Sequence, residues 1–167
     1  MSLKERALSG RAGSRAVRGS SSRKAEDQVE ARAAEFDPSL LDLYTRTTYS
    51  VRSKNGRQIF FSLKSAERLK SLKGRKFSII TAWNPMNRLL GKAANQSRNR
   101  QLKKELTRAG YHFYPSMGSL DEHAEESFTV ENMNEEEALR FGARFAQYAV
   151  LVADEKGCRL VRCPPKV

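Results

Sequence analysis

No run of this sequence is apolar for long enough to cross a bilayer; the longest clean one, Tyr148 to Ala153, falls far short of the roughly 20 residues a spanning helix needs. Cysteine is scarce. The two that occur, Cys158 and Cys163, stand at odd separation, so a shared strand would point them to opposite faces, and no local disulfide is expected. No hydrophobic signal-peptide core is visible either, which makes a reducing cytoplasm the expected compartment. His112 and His123 lack Cys or His partners at ligand spacing, which argues against a zinc site. No glycine-rich phosphate loop, nucleophile elbow or zinc motif occurs, so the only residues that suggest catalysis are the pair Glu125 and Glu126.

Positive charge is abundant and unevenly spread. The chain of 167 residues carries a net +12, but residues 36–110 alone carry +13 and residues 111–167 carry −4, counting Lys, Arg, Asp and Glu. A basic middle of this kind attracts polyanions, nucleic acid above all, although a charged face kept for solubility has the same composition. Residues 1–35 begin with a Ser-, Gly-, Ala- and Arg-rich stretch that has no apolar periodicity and turn acidic and Ala-rich from Ala25; they are expected to form a disordered basic tail, with a frayed helix near its end. Residues 36–167 are expected to fold as one α/β domain.

Asp37-Pro38 is a helix-start signal for a short helix through Leu40, Leu41 and Leu43. Thr47 to Ser53 and Gln58 to Leu63 read as strands joined at Asn55-Gly56, a hairpin. A basic connection with a short helix at Ser65 to Leu72 follows. Phe77 to Trp83 is apolar almost throughout and reads as a central strand, ending where Asn84 precedes Pro85. A helix from about Lys92 to Gly110 comes next, and at 100° per residue Asn95, Asn99, Leu102, Leu106 and Ala109 share its inward stripe. Tyr111 to Tyr114 is a strand ended by Pro115, Ser116 to Ala124 a loop, and Glu126 to Val130 a strand. Asn134 and Glu137 make a capping box for a helix to about Ala146, and the strands Gln147 to Ala153 and Cys158 to Arg162 complete the chain.

From Phe77 the order is strand, helix, strand, strand, helix, strand. That is the split β-α-β arrangement of the ferredoxin-like class, here with an added N-terminal hairpin and a C-terminal strand. In it one end of the sheet collects Trp83 to Asn87, the helix start with Asn95, Arg98 and Asn99, the segment Ser116 to His123, Glu125 to Ser127, and Gln147. An inward asparagine without a partner costs about 1 to 3 kcal/mol, so the convergence marks a polar pocket.

Three readings follow. In the first, the pocket takes a phosphate-bearing ligand, a nucleotide or a nucleic-acid end, held by Trp83, Asn84, Asn87, Asn95, Arg98, Asn99, Gly118, Ser127 and Gln147. In that reading Glu125 or Glu126 binds a donor edge or a cation, Mg2+ being the candidate; in the second, the protein is a hydrolase or transferase acting on such a ligand with Glu125 or Glu126 as the base, and only one of these adjacent glutamates can aim inward, Glu126 sharing the parity of Phe128. In the third, a surface of Lys64, Arg68, Lys73, Arg75, Lys76, Arg100, Lys103, Lys104 and Arg108 binds nucleic acid, and the asparagines are structural.

The runs ITAWNP with Asn87, Asn95-Gln96-Ser97-Arg98-Asn99, GYHFYPSMG, EESFTV and Phe145-Ala146-Gln147-Tyr148-Ala149-Val150 resemble the DUF3293 family, small and mostly bacterial proteins without an assigned activity. The resemblance covers roughly residues 48–152. It implies no reaction, but its motif residues are those that the expected topology gathers at one end of the sheet.

Overall fold

Asp37 starts the first helix in the way its sequence predicts: its carboxylate accepts hydrogen bonds from the Ser39 and Leu40 amides at 2.9 and 3.2 Å, and Pro38 occupies the first turn. The computed structural model describes residues 36–52 and 55–164, so the tail and frayed helix expected over 1–35 lie outside the described residues. Within them the elements are α1 (Pro38–Arg46), β1 (Thr48–Arg52), β2 (Gln58–Phe61), α2 (Ala66–Ser71), β3 (Phe77–Ile80), a 3-10 turn (Pro85–Asn87), α3 (Lys92–Arg108), β4 (Phe113–Leu120), β5 (His123–Glu131), α4 (Glu135–Arg144), β6 (Ala149–Asp154) and β7 (Gly157–Arg162). No helix among the described residues is long and apolar enough to cross a membrane.

The strands form one mixed-order, wholly antiparallel sheet, β2-β1-β4-β5-β3-β6-β7. β3 lies between β5 and β6 and is buried along its whole length, as its unbroken apolar run predicts. Alternation then divides the core into two faces. Ile80, Val130, Val150 and Val152 pack with Leu102 and Leu106 of α3 and Ala138 of α4. Phe77, Ile79, Leu151 and Ala153 face the other way, toward Tyr49, Val51, Phe61 and Leu72. Cys163 belongs to the first cluster and Cys158 packs against the second, and both are free thiols.

α1 lies on the second face. Its Leu40, Leu41 and Tyr44 pack on Phe36, Tyr148 and Ala149, Tyr44 stacks on Tyr148 at 6.1 Å between ring centroids, and the Tyr148 hydroxyl accepts a bond from the Asp37 amide at 2.8 Å. The Arg162 guanidinium sits over the Tyr148 ring, 3.6 Å from its centroid. α4 opens on the predicted capping box, with Asn134 and Glu137 exchanging side-chain-to-backbone bonds of 2.9 Å.

Several boundaries differ from the sequence reading by about two residues, β6 starting at Ala149 rather than Gln147 among them, and two differences bear on the site. β3 stops at Ile80 rather than Trp83 because the amides of Ala82, Trp83 and Asn84 bond to side chains instead of to a neighbouring strand. The expected loop Ser116 to Ala124 is instead the tip of a long hairpin: β4 and β5 pair from Phe113↔Val130 to Leu120↔His123, turning at Asp121 and Glu122. Pro115 is tolerated inside β4 because β1 pairs with β4 only at Gly118 and Ser119, so no second ladder needs its missing N–H.

Candidate functional site

Where β3 ends, the backbone passes under the first turns of α3, and the helix reaches down to it with side chains one turn apart. Asn99 accepts from the Ala82 amide at 2.8 Å and donates to the Glu126 carbonyl at 2.7 Å, joining the chain just past β3 to the middle of β5. Asn95 accepts from the Asn84 amide at 2.9 Å and donates to Asn84 Oδ1 at 2.9 Å and to the Leu90 carbonyl at 3.1 Å. Arg98, three residues on and therefore on the same face, donates through Nε to the Ala82 carbonyl at 2.8 Å and through Nη2 to the Phe145 carbonyl. Gln147 donates to the Trp83 carbonyl at 3.0 Å. Asn95 and Asn99, both almost wholly buried, thus satisfy the peptide groups of a strand that has left its sheet.

The same corner concentrates backbone strain. Asn84, Met86 and Asn87 have φ of 42°, 51° and 59°, and Ala146 has 55°. The Met86 amide donates to the Ala146 carbonyl at 2.7 Å, locking the two segments together. Asparagine visits this region readily, whereas Met and Ala there cost about 1 to 2 kcal/mol each. Ala146 stands just past α4, where glycine is the usual residue; the Gln147 amide reaches back to the Gly142 carbonyl at 2.8 Å. Ala146→Gly is therefore expected to stabilise the fold by about 0.5 to 1 kcal/mol net of the added chain entropy, raising Tm by about 2 to 5 °C. A thermal melt showing no rise would mean that the strain at Ala146 is relieved elsewhere.

Behind this corner, on the second face, the roof formed by α1 leaves a cavity of about 210 Å³. Its walls are mostly apolar or aromatic, with Leu43, Tyr44, Tyr49, Ile79, Trp83 and Leu151 among them, and Glu125 is its one carboxylate. No lysine or arginine lines it. Glu125 Oε1 accepts from Asn84 Nδ2 at 2.6 Å, so the asparagine bracket also positions the acid. Tyr44 donates to Asn87 Oδ1 at 3.0 Å, tying roof to turn, and Ser127 shares a 2.9 Å hydroxyl contact with Ser116. Gly118 forms part of the β4 wall. An outer groove of about 480 Å³ shares Trp83, Asn84, His123 and Glu125 with the cavity and adds Lys92 at the start of α3 together with the carboxylates Glu122 and Glu126.

Strand parity separates the two glutamates. Glu125, on the face of Ser127 and Thr129, borders the cavity, whereas Glu126 is exposed and its carbonyl accepts from Thr81 and Asn99 at 2.7 Å. Burial raises the Glu125 pKa above the ordinary carboxylate value, against smaller lowering effects of the Asn84 hydrogen bond and His123. An acid whose folded pKa is raised binds more protons folded than unfolded, so stability falls as pH rises from the ordinary carboxylate range through the raised value. Glu125→Gln, which keeps an acceptor for Asn84, is expected to remove that fall. Its urea midpoint should match the wild-type value near about pH 4 and exceed it near about pH 8; parallel curves at both pH values would overturn the assignment. A magnesium ion in the cavity would have to rely on Glu125 and on oxygens brought by its ligand, and no group of three His, Cys, Asp or Glu side chains gathers among the described residues.

Tyr44 and Thr81 border this cavity without having been singled out from the sequence. The Leu40, Leu43 and Tyr44 spacing signals an apolar helix face but not the part of the sheet it covers. The basic residues are divided: Lys64 pairs with Asp42 at 3.3 Å and Arg75 donates to the Arg52 carbonyl at 2.6 Å, near α2 on the second face, whereas Arg100, Lys103, Lys104 and Arg108 lie on α3 over the first.

Residues 80–150 match the family described as Protein of unknown function (DUF3293), the family whose motifs the sequence resembles. The match runs from the end of β3 to the start of β6 and includes Trp83, Asn84, Asn95, Arg98, Asn99, Glu125 and Gln147. No curated protein and no solved structure matches the chain.

Proposed function

We propose that this chain, which carries the DUF3293 pattern across its site-forming residues, binds a small nucleotide-class ligand, with its ring in the inner cavity and its phosphate in the outer groove. The observation that carries the reading is Glu125: a carboxylate is held in a largely apolar cavity with one oxygen given to Asn84 and no described protein donor on the other. Gln147 Oε1 likewise accepts no bond from a described residue. Two acceptors without donors suit a ligand that brings an amino or ring N–H edge, and the aromatic walls Trp83 and Tyr44 suit its ring.

Size and charge decide where each part goes. A cavity of about 210 Å³ is below the usual range for a whole ligand, roughly 300 to 1,000 Å³, so it accommodates one ring and not a nucleotide. With Arg98 committed to two carbonyls and no lysine or arginine in the cavity wall, the phosphate is assigned to the outer groove, whose lining holds Lys92 and His123 but also Glu122, Glu125 and Glu126. Lys92 and the first-turn amides of α3, to which Gly91 at the cap brings no side chain, would hold the anion there against the repulsion of those carboxylates. The strand order β4-β5-β3-β6, with a helix after β3 and another after β5, supports a split β-α-β core of the ferredoxin-like class. A hydrolase or transferase reading rests on the same Glu125, whose raised pKa suits a general acid or base.

The test is a thermal-shift panel of nucleosides and mono-, di- and triphosphates. A nucleotide with an amino edge is expected to raise Tm in proportion to RT ln(1 + [L]/Kd), and Glu125→Gln to weaken that binding at least about tenfold. A panel without any shift, or equal binding by Glu125→Gln, would refute the reading. Turnover lost in Glu125→Gln while binding persists would mark an enzyme.

A further inference from the structure

We infer that the outer surface of α3 is a docking surface for the sugar-phosphate backbone of a single-stranded nucleic acid. This goes beyond the cavity and rests on a different observation: the helix carries exposed cations with almost no acid among them. Lys92, Arg100, Lys103, Lys104 and Arg108 are exposed, and none forms an ion pair with a described residue. The single acid of the helix, Glu105, is held by Arg144 at 2.7 Å and neutralises none of them.

Spacing sharpens the point. Arg100, Lys104 and Arg108 recur every four residues, and Lys103 stands three after Arg100, so like charges meet on adjacent turns, an arrangement that works against an isolated helix. A helix charged only for solubility interleaves acids at these distances. The chain does so elsewhere: Asp42 pairs with Arg46 in α1 and with Lys64, and Asp154 and Glu135 hold Arg159. Along α3 no acid beyond Glu105, which Arg144 holds, is interleaved to offset the repulsion.

The partner follows from chemistry and reach. Arg100, Lys104 and Arg108 project opposite the buried stripe of Asn95, Asn99, Leu102 and Leu106, so the cations cover the face turned away from the sheet. Seventeen residues span about 25 Å, long enough for several consecutive phosphates. No large apolar side chain of α3 is exposed, which speaks against a membrane surface, where such a helix needs an apolar face. α3 starts at the outer groove, where Lys92 lies, so a strand following the cations leads from the groove along the helix. A single strand fits this better than a duplex because its end is free to present an unpaired base to a one-ring cavity.

Fluorescence anisotropy with a labelled single-stranded oligonucleotide of about ten nucleotides tests this, alongside the mononucleotide thermal shift. The triple charge reversal Arg100→Glu, Lys104→Glu, Arg108→Glu is expected to weaken oligonucleotide binding at least about tenfold. It should also flatten the slope of log affinity against log salt by about 2, at roughly 0.7 per lost phosphate contact, and leave any mononucleotide shift in place. The milder Arg100→Gln, Lys104→Gln, Arg108→Gln set keeps helix propensity and repeats the measurement if the reversal fails to fold. Oligonucleotide binding unchanged in the folded variants overturns the inference, as does equal displacement by a polyglutamate peptide of matched charge. Oligonucleotide binding that depends on α3 without any mononucleotide shift would sink the cavity reading and leave this one standing.

Discussion

Asn99→Leu is expected to lower the free energy of unfolding by about 2 to 4 kcal/mol, seen as a fall of about 1 to 2 M in the urea midpoint with an unchanged slope. Leucine has the branched shape and heavy-atom count of asparagine with a somewhat larger volume and would join Leu102 and Leu106, so no cavity term arises. What is lost is the pair of bonds that Asn99 makes to the Ala82 amide and the Glu126 carbonyl. Ala82 is fully buried, and water cannot replace the acceptor its N–H loses. An orphaned buried amide costs about 1 to 3 kcal/mol, and a weakened carbonyl adds to it; leucine recovers part through the amide desolvation it avoids. A loss below about 1 kcal/mol would mean that the peptide groups of residues 81–84 find other partners and that the bracket is dispensable.

That expectation also assigns roles within the polar corner. Asn99 does not line the inner cavity, whereas Glu125, Gln147 and Asn84 do. Asn84 belongs to both sets, since its backbone N–H donates to Asn95 Oδ1 and its side-chain amide donates to Glu125. The buried asparagines act as scaffold and the acid as the group that meets solvent or ligand. Sequence alone reveals the inward asparagines because a helical stripe cannot leave them unpartnered. It cannot distinguish a ligand from a strand end as their partner, since that depends on how closely α3 rides over residues 81–84. Strand parity does separate Glu125 from Glu126, because alternation is local: Glu126 shares the face of Phe128 and Glu125 the opposite face, where the cavity lies.

Other features were hidden for physical reasons. Pro115 and Gly118 punctuate a sequence like a loop, yet they sit in β4 where the ladder to β1 is brief. The roof over the cavity depends on Phe36, Tyr148 and Arg162, which are far apart in the chain and gather on one aromatic ring only after folding. The basic residues Lys64 to Lys76 and those of α3 look continuous in charge, but the strand β3 between them sends its connections to opposite faces. By contrast, the order of helices and strands from Phe77 onward was legible because each element carries its own period and its own start signal, as Asn134 and Glu137 do for α4.

Gly142→Val is expected to destabilise by about 3 kcal/mol or more, and Gly142→Ala by about 1 to 3, although alanine is the better helix former by about 1 kcal/mol. α4 lies so close to the sheet at this point that a Cβ on residue 142 would stand 2.5 Å from Cys163 Sγ and 2.7 Å from Val150 Cγ1. Both neighbours are buried in the first core cluster, and neither is a flexible chain end that can swing aside. The helix would have to lift from β6, and the corner that follows it would move too, because the Gln147 amide is bonded to the Gly142 carbonyl. A double-mutant cycle separates this clash from a general loss of packing. Cys163→Ala is destabilising alone, but combined with Gly142→Ala it removes one of the two obstructing atoms, so the pair should cost less than the sum by about 1 kcal/mol. Strict additivity would show that the close approach is not what excludes a side chain at position 142. A coupled pair would make Gly142 the residue that sets the height of α4, and with it the position of Gln147 in the cavity wall.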